Sequence, residues 1–162
     1  MNIADAIAIL DKEVINPQIG LPDEVFYFIS RITPLVNVDL LIKDENGRTL
    51  LSWRDEKYTG EGWHLPGGIV RFKETLETRI KKVAETEIGV NISFDATPIT
   101  LNQVIYPERH IRSHFISILF KCFLPSTFIP ENKGLSPADA GYLKWHNVCP
   151  DNLLKVHEMY RK

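Results

Sequence analysis

The sequence predicts an α/β fold, a single domain over 1–162 in which a mixed β-sheet lies between helices as an α/β/α sandwich. Three observations predict it. β-rich runs alternate with helix-patterned segments along the chain. A strong hairpin turn, Asp44-Glu45-Asn46-Gly47, joins two of those runs. The clearest helix, with Leu76, Ile80, Val83 and Ala84 on one face, directly follows a pair of glycines.

Each element has a local reason. Asn2 to Val14 carries Ile3, Ile7 and Leu10 among alanines, which predicts a short helix. Asn16-Pro17 and Gly20-Leu21-Pro22 interrupt the chain, Asp23 is placed to cap a second helix through Val25, Phe26, Phe28 and Ile29, and Pro34 ends it. Residues 1–32 therefore read as an N-terminal helical extension. Val36 to Ile42 is a strand, and Thr49 to Trp53 returns beside it after the Gly47 turn. Asp55 to Gly62 is polar and reads as a surface loop. Trp63-His64-Leu65 is a brief strand leading into Gly67-Gly68, read as a turn, and Gly89 stops the helix that follows. Strands recur at Thr100–Tyr106 and His114–Phe123, Pro125 to Pro137 is loop, Gly141 to His146 is a last strand, and Asn152 to Tyr160 a closing helix.

Composition narrows the function classes. Apolar residues are 44% and charged residues 25% of 162, the balance of a soluble globular chain. The net charge of −2 leaves no basic field for general nucleic-acid binding. No apolar run reaches the length of a membrane span, and Asp5, Asp11, Lys12 and Glu13 do not suit a signal peptide. Cys122 and Cys149 follow no metal spacing, so a reducing cytoplasm is the expected compartment.

The chemistry concentrates after the glycine pair. Glu87 continues the helical series 76, 80, 83, so a carboxylate stands at the end of an apolar stripe. Such a group suffers desolvation unless a cation or a donor meets it. Glu85 points about 160° away on an ideal helix and serves as a solvated residue. Glu74, Glu77 and Glu85 each have helix solubility as the plain alternative. Gly67-Gly68 either supplies a turn with positive φ or exposes a backbone carbonyl to a metal.

Gly68, five residues, Glu74, seven residues, then Lys82-Val83-Ala84-Glu85-Thr86-Glu87-Ile88-Gly89-Val90 resembles the Nudix box of nucleoside-diphosphate-X hydrolases. The spacing is complete, but Lys82, Val83 and Thr86 stand where the box has Arg, Glu and Glu. The GDP-mannose mannosyl hydrolase branch lacks the same two glutamates. The likeness to that branch extends through Thr33–Asp39, Leu50-Leu51, Arg54, Gly62-Trp63, Ser113-His114-Phe115 and Trp145.

That resemblance implies a Nudix-like fold and an Mg²⁺-dependent hydrolase, with Mn²⁺ as a substitute ion. Its substrate would be a nucleotide sugar, or else another nucleoside diphosphate compound cleaved at a phosphoanhydride. A non-catalytic nucleotide sensor is the third reading. The Gly67 carbonyl and Glu87 match two metal ligands, Asp139 falls where the branch has its third, Arg54 matches an arginine on the diphosphate, and Asp39 and His114 match substrate-side residues. Ala140 stands where the branch has its basic histidine, and Ile69 where it has a further arginine, with Arg71 close by. His110 or Glu108, in the loop after Tyr106, are the candidates for the base. Tyr106 and Trp63 could stack on a base or sugar, or simply pack. His146 and His157 read as surface or packing residues. The branch also implies a homodimer formed through the helices ahead of Pro34.

Overall fold

The strand Leu35–Lys43 (β1) is the axis of the molecule, seen in a computed structural model that describes residues 2–161. Val38, Leu40 and Ile42 project to one face and are fully buried, while Asn37, Asp39 and Leu41 project to the other, as strand pleating requires. β1 pairs in parallel along its length with β7 (His114–Phe123), from Leu35 opposite Phe115 to Lys43 opposite Phe123. Its other edge is shared between two partners. Near Lys43 it meets β2 (Thr49–Glu56), and from Asn37 to Asp39 it pairs with the short β4 (Gly67–Ile69). β2 also pairs with β3 (Gly60–His64) and β8 (Leu143–His146), and β7 pairs with β5 (Ser93–Phe94) and β6 (Thr100–Ile105). The β1–β7 pairing is parallel and the rest antiparallel, so the eight-stranded sheet is mixed as expected.

Helices cover both faces. On one side lie α3 (Leu76–Val83) and a π-helical turn, Ala84–Ile88, that continues it. Thr75 caps α3 through the Thr78 N–H, and Gly89, at φ 84°, ends the π turn by donating to the Ala84 carbonyl. Ile80, Val83 and Ile88 pack there on Val38, Leu40, Ile42, Leu50, Phe120 and Cys122. On the other face Leu51, Trp63, Leu65 and Leu119 pack with Leu153 and Tyr160 beneath the C-terminal segment. The two N-terminal helices, α1 (Ile3–Glu13) and α2 (Asp23–Ile32), are covered far less than the layers: α1 buries no residue and α2 buries only Ser30. Pro22, not Asp23, occupies the α2 cap position, and Asp23 lies in the first turn without a capping bond.

Three expectations are corrected. Residues 55–62 are no loose loop: β2 and β3 zip into a hairpin, with Trp53 opposite Trp63 and their rings edge-on at 5.2 Å. Gly67-Gly68 is no positive-φ turn, since both residues are extended in β4. Their small size serves close approach instead. A Cβ on Gly67 would lie 2.7 Å from the Val38 carbonyl oxygen, and one on Gly68 would lie 2.9 Å from Val83 Cγ2. The closing helix shrinks to a 3₁₀ helix, Lys155–Tyr160. The residues before it are spent on β3: Trp63 N–H donates to Asn152 O, and Leu154 N–H donates to Trp63 O.

Candidate active site

The site begins where β4 meets the π turn. Leu40 N–H donates to Pro66 O and Val70 N–H to Val36 O, so the alternating antiparallel ladder makes Val38–Gly68 a bonded pair and Asp39–Gly67 an unbonded one. The Gly67 N–H and C=O therefore point outward, away from β1. The Glu87 carboxylate lies against this outward edge, within reach of the Gly67 N–H. Burial pushes its carboxyl up to about 7, opposed by Arg54 and the Gly67 N–H and reinforced by the Asp39 charge. Its side chain keeps 28% of its surface open to a cleft, so the acid is crowded yet reachable.

His64 and Arg54 connect this corner to the rest of the site. His64 Nδ1 donates to the Ser52 carbonyl at 2.7 Å, which leaves Nε2 as the acceptor for an Arg54 guanidinium N–H at 3.0 Å. Those partners assign the tautomer. Burial and the Arg54 charge hold the imidazole well below the usual histidine range. Glu87 Oε2 is 3.8 Å from the same Nε2.

Arg54 and His64 line two adjoining cavities. One, of about 880 Å³, contains Glu87 and is walled by Gly89, Phe128 and Ala140. The other, of about 220 Å³, contains Gly67, Tyr106 and a polar floor. On that floor Asp39 is buried and accepts from Asn37 Nδ2 at 2.6 Å and from the Ser117 hydroxyl. His157 Nδ1 accepts from Leu65 N–H, which turns the protonated Nε2 toward Asp39 Oδ1 at 3.5 Å. Tyr160 closes the network on Ser117. At the rim, the Arg109 guanidinium lies 3.9 Å above the Tyr106 ring.

The structure brings Gly67, Glu87, Arg54, Asp39 and Tyr106 around this pair of cavities. Other predicted positions fall outside it. Glu108 and His110 are exposed in the β6–β7 loop and line neither cavity, although Arg109 and Arg112 beside them do. His114 alternates with Phe115 and Ser117 along β7, so it faces away from the 220 Å³ cavity and meets Gln103 instead. Asp139 is exposed and its carboxylate is held by the Ser136 N–H and hydroxyl. Arg71 packs its guanidinium beside Gly20 rather than in either cavity. His64, three residues before Gly67, was legible as a pocket-facing residue and lines both cavities, whereas His157 was missed. His157 is buried at the centre of the polar floor, and nothing in its neighbours' pattern announced it. Glu74 differs from its solubility reading too: its carboxylate is nearly enclosed and pairs with Arg71 N–H, Arg79 and Lys82, fixing the loop before α3.

A divalent cation fits the Glu87–Gly67 corner on donor chemistry. Among the described residues no cluster of three or more His, Cys, Asp and Glu could hold one unaided. A desolvated carboxylate beside an outward backbone carbonyl is a partial set, of the kind that Mg²⁺ completes with water and substrate phosphates. No helix among the described residues is long and apolar enough to cross a membrane.

Comparison with known proteins gives a consistent picture. The profile of the NUDIX domain matches residues 33–157. The low-salt glycan biosynthesis protein Agl8 of Haloferax volcanii is 36% identical over 145 residues, covering 79% of this chain and 92% of that protein. The MutT NUDIX hydrolase of Burkholderia pseudomallei superposes with a TM-score of 0.61 at 22% identity, over 78% of this chain and 95% of that one. The MutT protein of Methanosarcina mazei gives 0.54 at 24% identity, over 70% and 78%.

Proposed function

The chain belongs to the NUDIX family of hydrolases acting on nucleoside diphosphate derivatives, and on that premise we propose that its substrate is a nucleotide sugar of the GDP-mannose kind, cleaved to free sugar and nucleoside diphosphate. One observation carries the reading: a metal-suited acid, a phosphate-suited arginine and a buried polar floor stand in one continuous site, joined by Arg54 and His64. The glycan-biosynthesis role in the name of the Haloferax relative supports a sugar-bearing substrate.

In this reading Glu87 and the Gly67 carbonyl hold Mg²⁺, or Mn²⁺ in its place. When bound, the ion supplies positive charge to the departing diphosphate. Arg54 contributes a planar fork to the phosphate oxygens. Asp39, fixed by Asn37, Ser117 and His157, presents acceptor capacity to sugar hydroxyls, and Tyr106 offers a ring face. Glu108 and His110 are the candidates to receive the proton of the attacking water, from a loop whose Arg109 already reaches the cavity. Asp139 and His114 are candidates for a further metal ligand and a further substrate contact only by their match to the branch, and each would have to leave its present partner, Ser136 or Gln103, to serve. The extension 1–32 pairs subunits in a homodimer through its exposed isoleucines.

The alternative, cleavage of a phosphoanhydride, has one observation in its favour: Ala140 lines the Glu87 cavity where the sugar-cleaving branch has its base. Incubation with a nucleotide-sugar panel and Mg²⁺ or Mn²⁺, followed by ³¹P NMR, separates the readings. Nucleoside diphosphate with free sugar is the expected product. Sugar phosphate with nucleoside monophosphate selects the alternative, and binding without metal-dependent turnover of any member ends the enzymatic assignment.

A further inference from the structure

Arg112 is held at the site by an arrangement that its position in a loop does not require. Its backbone sits in the left-handed region at φ 51°, unfavourable for a side chain with a Cβ. The Ser30 hydroxyl of α2 holds it there, accepting the Arg112 N–H at 3.2 Å while donating to the Tyr27 carbonyl at 2.9 Å. Ser30 is buried although the rest of α2 is not. Arg112 so placed lines the 220 Å³ cavity together with Arg54. Its Nε is buried with no hydrogen-bond partner, an unmet donor at a charged group.

Glu56 stands between the two arginines. Its Oε1 is 3.3 Å from Arg112 and its Oε2 is 3.6 Å from Arg54. Both distances exceed those of a tight charge-assisted bond, which runs at about 2.7–2.9 Å. One carboxylate thus spans two guanidiniums loosely, leaving donors over. A diphosphate has the charge and the oxygens to satisfy both forks.

We propose that Arg112 is a second phosphate-binding arginine, paired with Arg54 across Glu56, whose carboxylate holds the two guanidiniums until a diphosphate displaces it. Arg71, close to the glycine pair in sequence, has its guanidinium beside Gly20 and lines neither cavity. Ser30 is a positioning residue for Arg112, which ties α2 to the site. The inference rests on the nucleoside-diphosphate reading above and adds the element that grips the phosphates.

Calorimetric titration of the full chain with inorganic pyrophosphate in Mg²⁺ buffer tests it, with thermal midpoints as the folding control. Arg112→Gln should weaken pyrophosphate binding about tenfold or more, and Arg112→Lys should recover part of that loss by restoring charge without the planar fork. Glu56→Gln should tighten binding about threefold, because the competing anion is gone. Ser30→Ala should weaken binding a few-fold in the native background and add nothing to Arg112→Gln, a non-additivity that a merely structural serine would not show. Unchanged affinity in Arg112→Gln, or weakened affinity in Glu56→Gln, overturns the inference while the parent's turnover leaves the nucleotide-sugar reading standing. If the parent protein binds no pyrophosphate and turns over no nucleotide, both fall together. Should Arg112→Gln not fold, Arg112→Lys and Glu56→Gln decide.

Discussion

Glu87 owes its chemistry to what surrounds it. Burial, with the charge of Asp39 added, raises its carboxyl to about 7, so a cation beside it would relieve the cost of the anion. Glu87→Gln removes the charge and keeps the shape. Turnover should fall about 100-fold or more, given that metal charge stabilisation is worth several kcal/mol, while the thermal midpoint of the metal-free protein should not drop; steady-state kinetics and calorimetry check the pair. His146 carries a separate prediction. Its ring meets Trp63 edge-on at 4.5 Å, its Nε2 is buried without a partner, and burial with the nearby Lys144 lowers its pKa from 6.5 to about 4. The unfolded chain takes up a proton first as pH falls, so stability is full above about pH 6.5 and declines toward pH 4. His146→Phe should flatten that decline in denaturation midpoints measured across the window. The sequence could not single out His146 or His157, because burial of a lone histidine comes from distant elements: the β3 edge for one, Asp39 and the Leu65 N–H for the other.

At the level of elements, the contact between β4 and α3 positions the metal-suited corner. Gly68 lets Val83 and the Arg79 stem sit directly on the strand. Gly68→Ala places a methyl group 2.9 Å from Val83 Cγ2, and overpacking of this kind typically costs about 1–3 kcal/mol. Urea denaturation should show that loss, together with reduced turnover as α3 moves off. The helix itself, its cap at Thr75 and its stop at Gly89 were legible from apolar spacing and the glycine. Its last turn was not, because a π turn differs from an α turn only in which carbonyl accepts, and side-chain pattern hardly records that. Glu87 was expected to extend the Ile80–Val83 stripe to its edge, and its carboxylate stands in the cleft within reach of the Gly67 N–H. The β2–β3 hairpin was hidden for another reason. Its polar tip, Glu56 to Thr59, reads as loop composition, yet the Trp53–Trp63 pair closes it from behind.

Across the whole molecule, the catalytic layers and the N-terminal extension are stabilised differently. Ile3 is 80% exposed and Ile15 90% exposed, with Ile7, Ile9 and Ile19 also open to solvent. Apolar surface of that kind is expected to be covered by a partner subunit. Ile3→Glu with Ile7→Glu should convert a dimer to a monomer in sedimentation, with little change in the unfolding midpoint of the core; a native chain that already sediments as a monomer would refute the pairing. The fold class was readable because strand and helix periods alternate cleanly after residue 34, whereas strand order, which depends on partners far apart in sequence, was not. The β1–β7 pairing has a consequence for synthesis. Its two nine-residue partners lie about eighty positions apart, so the central strand leaves the ribosome long before the strand that will complete it exists. Closing a loop of that size precedes any reward from pairing. The nascent chain therefore carries Val38, Leu40 and Ile42 incompletely sheltered until Phe123 has emerged, and in that interval it is most dependent on chaperones and most open to aggregation.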